Sequence, residues 1–292
     1  MIKRYFTQEE KDYIICQYPF KTAKELAIDL NCKTQKIQDT VKQLELHGTK
    51  IEKNRKYQAN FSYFETIDTS EKAYWLGFIY ADGNVGKREN QQGSLSIKLN
   101  QKDKILLELF KKDIEAENPV FEERIDKRSK SMMSGIFIVS DKIFNDLGNL
   151  NCIPRKTFKI DSIPNGVPYN LISHFIRGYF DGDGSVNFNK DKSLIFQIVG
   201  QEEFLIKIKT LIEEETKINL KMYADKRTKG LYALHTGNKQ YISRLYAFLY
   251  KDATRYLPRK KILFEQFISN IIDHYVLNEL VTFNKICKEE II

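Results

Sequence analysis

The segment AYWLGFIYADGNV, Ala73 to Val85, returns as HFIRGYFDGDGSV, His174 to Val186, at an offset of 101 residues. Three further landmarks repeat in the same order: SLSIKLNQKDK as SLIFQIVGQEE, DKRSK at 126–130 as DKRTK at 225–229, and CIPRKTF as YLPRKKI. Four landmarks recurring in register predict two copies of one fold unit, each about a hundred residues long. The copies span residues 61–167 and 168–292, behind an N-terminal segment 1–60.

Each copy reads as helix, strand, strand, helix, two further strands, helix. This order lacks βαβ regularity and predicts an α+β fold. In SLSIKLNQK the alternation puts Ser94, Ser96, Lys98 and Asn100 on one face and Leu95, Ile97 and Leu99 on the other. One sheet face should therefore pack on helices while the other meets solvent or a ligand.

The repeated apolar segment ends abruptly in acid. Ala73, Gly77 and Ala81 recur every fourth residue in the first copy, and Gly178 and Gly182 do so in the second. Small residues at this spacing let two helices approach closely. If the stripes pack together, Asp82 and Asp183 emerge side by side. Adjacent carboxylates repel unless a cation neutralises them, and oxygen-only donors suit Mg2+. Gly83 and Gly184 are expected to turn the chain sharply out of each helix.

Paired carboxylates with a divalent ion amid basic side chains point to phosphodiester hydrolysis. Lys156 and Lys260, from the two PRK segments, are candidates to neutralise developing charge, with Lys261 as a substitute for Lys260. Other readings of the acidic turns fail. Val186 stands where a calcium loop requires glycine, and GNVGK lacks phosphate-loop spacing.

Residues 1–60 read as short helices and a linker. Thr7 with Glu10, and Thr22 with Glu25, begin capping boxes. Ala27, Asn31 and Ile37 fall at helix-turn-helix spacing: a small residue for close approach, one tolerant of positive φ for the turn, and an apolar lock. Val41 and Leu44 continue the buried stripe. That leaves Lys33, Gln35, Lys36, Gln38 and Lys42 exposed, where long polar side chains reach base edges and phosphates. The following stretch, GTKIEKNRKYQANFSYFETIDTS, reads as a basic linker able to lie along a phosphate backbone.

Charge agrees with a polyanion partner: 47 Lys and Arg stand against 39 acids, net +8. The four cysteines (Cys16, Cys32, Cys152, Cys287) form no CxxC pair and are expected as free thiols in a reducing compartment. The four histidines are equally scattered. No apolar run approaches the roughly 18 residues of a membrane span, and MIKRYFTQEEKDY lacks the apolar core of a secretory signal. The expectation is a chain that is not secreted, in the cytoplasm or another reducing, DNA-containing compartment.

WLGFIYADG (Trp75 to Gly83) and IRGYFDGDG (Ile176 to Gly184), with both PRK segments, resemble the LAGLIDADG homing endonucleases in their single-chain, two-motif form. The resemblance covers about residues 70 to 270, and the N-terminal segment is similar to helix-turn-helix modules attached to some homing enzymes. It implies two pseudo-symmetric αββαββα units whose curved sheets form a DNA-binding saddle. It further implies divalent ions on Asp82 and Asp183, aided by the backbone carbonyls of Ala81 and Gly182. Lys98 and Gln197 align with positions near active-site water, and Lys156 and Lys260 with the family's basic positions.

The implied reaction is double-strand cleavage leaving short 3′ overhangs, dependent on Mg2+, with Mn2+ as a substitute and Ca2+ supporting binding without cleavage. Sheet faces, loops and hairpin tips supply Ser96, Lys87, Arg88, Lys127, Arg128, Lys130, Asn187, Lys190, Lys226, Arg227 and Lys229 as candidate DNA contacts. Tyr80 departs from the motif where Asp181 keeps it, so the halves are unequal and a monomer reading a long asymmetric duplex is expected. The termini lack splicing-type ends, so a free-standing chain is expected. A non-cleaving DNA-binding regulator and an intron RNA maturase on the same fold are the competing readings.

Overall fold

The computed structural model describes residues 5–46, 56–89, 91–124, 132–154, 161–225 and 228–271. The chain divides into two compact units, one of Met1–Glu65 with Gly83–Pro154 and the other of Thr66–Asp82 with Arg155–Ile292. These units cut across the sequence repeats, because the first repeated helix packs with the second.

The first unit begins with helices α1 (Gln8–Gln17), α2 (Ala23–Asp29) and α3 (Thr34–Gln43). Thr7 and Thr22 each form a complete capping box, with Glu10 and Glu25 returning to the cap backbone at 2.9 and 2.6 Å. Phe6, Ile14, Leu26, Ala27, Ile37 and Val41 form the core of this segment. Asn31 makes the turn between α2 and α3 at φ 45°, while Leu44 is only half-buried.

The expected linker has a different character in its second half. Residues 47–55 lie outside the described residues, but Phe61, Tyr63 and Phe64 are buried. Asn60 donates its N–H to the carbonyl of Ile114 at 2.8 Å, and the Gln58 N–H donates to Glu117 Oε2 at 2.9 Å. Three aromatic rings over four positions carry too much apolar surface to stay in water, so this stretch is core and cannot lie along a phosphate backbone.

The rest of the unit is an antiparallel sheet of β1 (Gly83–Gly86), β2 (Ser94–Asn100), β3 (Phe121–Arg124) and β4 (Met132–Val139), in the order β1-β2-β4-β3. Leu95, Ile97 and Leu99 are buried, as the alternation of β2 requires. Helices α5 (Lys104–Asp113) and α6 (Asp141–Asn149) pack on this sheet.

The second unit pairs α4 (Ser70–Asp82) with α7 (Ile172–Asp183). Its sheet contains β5 (Gly184–Phe188), β6 (Leu194–Gly200), β7 (Lys221–Ala224) and β8 (Tyr232–Thr236), in the order β5-β6-β8-β7, which reproduces the first topology. Helices α8 (Glu202–Thr216) and α9 (Lys239–Tyr250) cover it, and a further helix, α10, spans 258–271. Phe180 stacks on Phe196 at 4.9 Å, and Phe264 from α10 meets both rings. No helix among the described residues is long and apolar enough to cross a membrane. Cys16, Cys32 and Cys152 are free thiols.

Candidate active site

Glycines decide how closely α4 and α7 meet. A Cβ on Gly77 would lie 1.9 Å from the carbonyl oxygen of Phe175, and one on Gly178 would lie 2.0 Å from that of Tyr74. Neither place admits a side chain, so the two backbones touch reciprocally. At Gly182 a Cβ would come within 2.2 Å of the Ala81 Cβ and 3.4 Å of Asp82 Oδ2. The helices therefore stay together to their C-terminal ends, where Asp82 and Asp183 are exposed.

At the glycine after the second acid the chain leaves the helix as expected, without a left-handed residue. Gly184 has φ −96° and ψ 165°, ordinary extended backbone. Glycine is required there for space, since a Cβ would meet Phe180 Cδ2 at 2.2 Å and its carbonyl oxygen at 2.4 Å.

Helix C-termini each carry roughly half a negative charge, and here two of them end in carboxylates. The electrostatics of neighbouring groups register both acids. Burial holds the Tyr179 hydroxyl well above its usual range, and Asp183 and then Asp82 push it further. That hydroxyl donates to the carbonyl of Val199 at 3.0 Å. Burial lowers the Lys260 ammonium from 10.5 to about 8, with Asp181, Asp82 and Asp183 pulling it back up and Arg259 pushing it down.

Lys260 is 3% exposed and donates to the carbonyl oxygens of Phe180, Asp181 and Gly184 at 2.6, 2.8 and 2.6 Å. An ammonium has three donors, and these carbonyls take all of them. The lysine thus caps the end of α7. Lys261 points elsewhere, to Glu265 and the Tyr256 ring. Lys156 lies outside the described residues.

A buried polar network supports the same helix end. Asp181 is 2% exposed, and its Oδ2 accepts the Tyr74 hydroxyl at 2.9 Å and the Leu257 N–H at 2.7 Å. Burial raises its pKa against the pull of Lys260, Tyr74, the Leu257 N–H and Arg177. Arg177 donates to the carbonyls of Arg255 and Leu249, both at 2.7 Å, and its third nitrogen meets His174 Nδ1 at 2.9 Å. Sequence reasoning passed over Arg177 and Tyr74. The available signal was a guanidinium inside an apolar helix, which must be paired if it is buried.

Among the described residues no group of three or more His, Cys, Asp or Glu could hold a metal ion. A cation at the two acids would rest on two carboxylates and backbone oxygens. The donor set fits a hard divalent ion: every donor is oxygen, two helix C-termini converge, and the carbonyls Lys260 takes do not include those of Ala81 or Gly182.

The remaining candidates are spread over the two sheets. Gln197 lies half-buried in a polar rung, directly opposite Ser185 on one side and His235 on the other, with Lys221 beyond. His235 and Lys221 escaped sequence reasoning because strand register is a tertiary fact. Lys98 is exposed on β2 in the first unit and pairs with Glu123. Ser96 is half-buried, while Lys87, Arg88, Asn187, Lys190 and Lys229 are exposed, Lys87 with its ammonium on Asp141. Lys127, Arg128, Lys130, Lys226 and Arg227 lie outside the described residues.

In the N-terminal segment Lys33, Gln35 and Gln38 are exposed, but Lys36 is not the free polar arm expected. Its ammonium is buried 3.8 Å from the Phe6 ring centroid. The aromatic face competes for the cation at that position.

No curated protein matches this sequence. Among solved structures, the chain is similar to the I-SmaMI LAGLIDADG homing endonuclease bound to cleaved DNA, at 16% identity over 74% of this chain and 92% of that one, TM-score 0.47. It is also similar to the homing endonuclease I-WcaI bound to its DNA recognition sequence, at 13% identity over 68% and 90%, TM-score 0.48. A third likeness is to the LAGLIDADG homing endonuclease I-GzeII in complex with a DNA target, at 14% identity over 74% and 96%, TM-score 0.45. Residues 170–249, from the turn before α7 to the last turn of α9, match the model of the LAGLIDADG-like domain.

Proposed function

We propose that this chain is a site-specific double-strand DNA endonuclease that depends on a divalent metal, with Mg2+ the expected ion. The observation that carries the reading is the convergence of Asp82 and Asp183 at two helix ends held together by Gly77, Gly178 and Gly182. Asp82 and Asp183, with the carbonyls of Ala81 and Gly182, would hold the ion. Bound there, it would polarise a phosphate and acidify a water. The protein's own groups set the stage. Lys260 offsets negative charge at the α7 end, and the open sheet faces carrying Ser96, Lys98, Asn187 and Gln197 contact the duplex.

The test is selection of bound duplexes from a randomised pool in Ca2+, followed by exchange into Mg2+. Wild type should break both strands at a fixed position. Asp82→Asn and Asp183→Asn should each slow cleavage at least about a hundredfold. Specific binding with no break in any of the three proteins would leave a DNA-binding regulator. Preference for folded intron RNA over duplex would favour the maturase.

The N-terminal segment is read as a helix-turn-helix that adds DNA contacts through Lys33, Gln35 and Gln38. Because Phe61, Tyr63 and Phe64 belong to the core of the first unit, the informative deletion is 1–46. It should weaken duplex binding and reduce the salt dependence of affinity, while cleavage persists at high protein concentration. Unchanged affinity and salt slope would remove the segment's role in binding.

A further inference from the structure

Asp181 and Lys260 each bind the other's stretch of backbone. The Asp181 carboxylate accepts the N–H of Leu257, and Lys260, three residues on, donates to the Asp181 carbonyl and to its neighbours at Phe180 and Gly184. Both side chains are almost wholly buried. One bond ties α7 to the approach of α10, and the others tie α10 back to α7. Tyr74 reaches across from α4 to the same carboxylate.

The first copy of the motif is built otherwise. Tyr80 occupies the position of Asp181, and its ring packs edge-on against Phe175 at 5.1 Å. We propose that Asp181 is a positioning residue: with Lys260 it forms a reciprocal clasp that fixes the last turn of α7 and, through it, Asp183. Two residues before Asp82 stands the Tyr80 ring and not a carboxylate, so opening the clasp at α7 should slow the two strand cuts unequally. This inference rests on the endonuclease reading above.

Amide hydrogen exchange on the metal-free full chain tests the clasp without any cleavage. Asp181→Leu and Lys260→Met should each speed exchange at residues 181–184 and 259–261 about tenfold or more. The double variant should add little to the larger single effect, since either change opens the same clasp. Asp181→Asn, which keeps an acceptor oxygen, should exchange more slowly than Asp181→Leu. It also carries the test, with Lys260→Met, if the leucine variant does not fold.

On a cleavable duplex in Mg2+, Asp181→Leu should slow one strand cut about tenfold more than the other, so that nicked duplex accumulates. Unchanged exchange in the single variants, or additive effects in the double, would overturn the clasp. Equal slowing of both cuts would overturn the unequal roles. A wild type that cuts no duplex would sink the endonuclease reading instead, and exchange alone would then decide the clasp.

Discussion

The C-terminal halves of α4 and α7 are copies of one pattern, and they share a backbone solution while differing in side chains. A Cβ on Gly77 would meet the carbonyl of Phe175, and one on Gly178 that of Tyr74, at nearly equal distances. Residues 74 and 175 are equivalent, as are 80 and 181 at the same offset. Yet one cross-pair is the hydrogen bond from Tyr74 to Asp181, and the other is the ring contact of Tyr80 with Phe175. Close backbone approach tolerates only glycine, whereas a buried pair can be polar or aromatic if each polar group finds a partner. The pseudo-symmetry is therefore enforced at the glycines and relaxed around them.

The shared backbone approach is tested most strongly by giving either glycine a methyl group. Gly77→Ala and Gly178→Ala should each cost about 3 kcal/mol or more, because the added Cβ meets backbone that cannot rotate away. Chemical denaturation of both variants checks this. Similar losses would support the shared backbone solution, and a loss at one position alone would show that the helices are not equivalent there. Gly148→Ala is the control, since a Cβ there has nothing within 4 Å.

Lys260 and Lys261, adjacent in α10, should differ by smaller amounts. The folded-state value of Lys260 is lowered to about 8 from 10.5, so between those limits the unfolded chain holds more protons at this position. Stability contributed by this group must then rise as pH rises through the window. Wild type should gain on the order of 2 kcal/mol relative to Lys260→Met between about pH 8 and 10.5. Denaturation midpoints of the two proteins across that range measure it, and a constant difference would contradict the burial of Lys260. Lys261→Ala should change stability by less than about 0.5 kcal/mol, since it removes a partly exposed ion pair.

Much of the architecture was legible without coordinates. The repeat predicted two sheets of one topology, and the alternation of SLSIKLN identified the buried face of β2. The capping boxes at Thr7 and Thr22 formed because they depend on residues three apart. Readings that depended on distant partners fared less well. Lys36 was drawn to Phe6, and Phe61, Tyr63 and Phe64 of the expected linker were drawn into the core.

The small-residue stripe and the acids that follow it could be read from residue order alone, because helical periodicity is local and a missing side chain is visible in the letters. Which groups answer Asp181, buried in the last turn of α7, was settled by packing between distant segments. Tyr74, Leu257 and Lys260 lie 107, 76 and 79 residues from Asp181 in the chain. They meet it because burial of a charged group selects whatever donors the packed helices bring within reach.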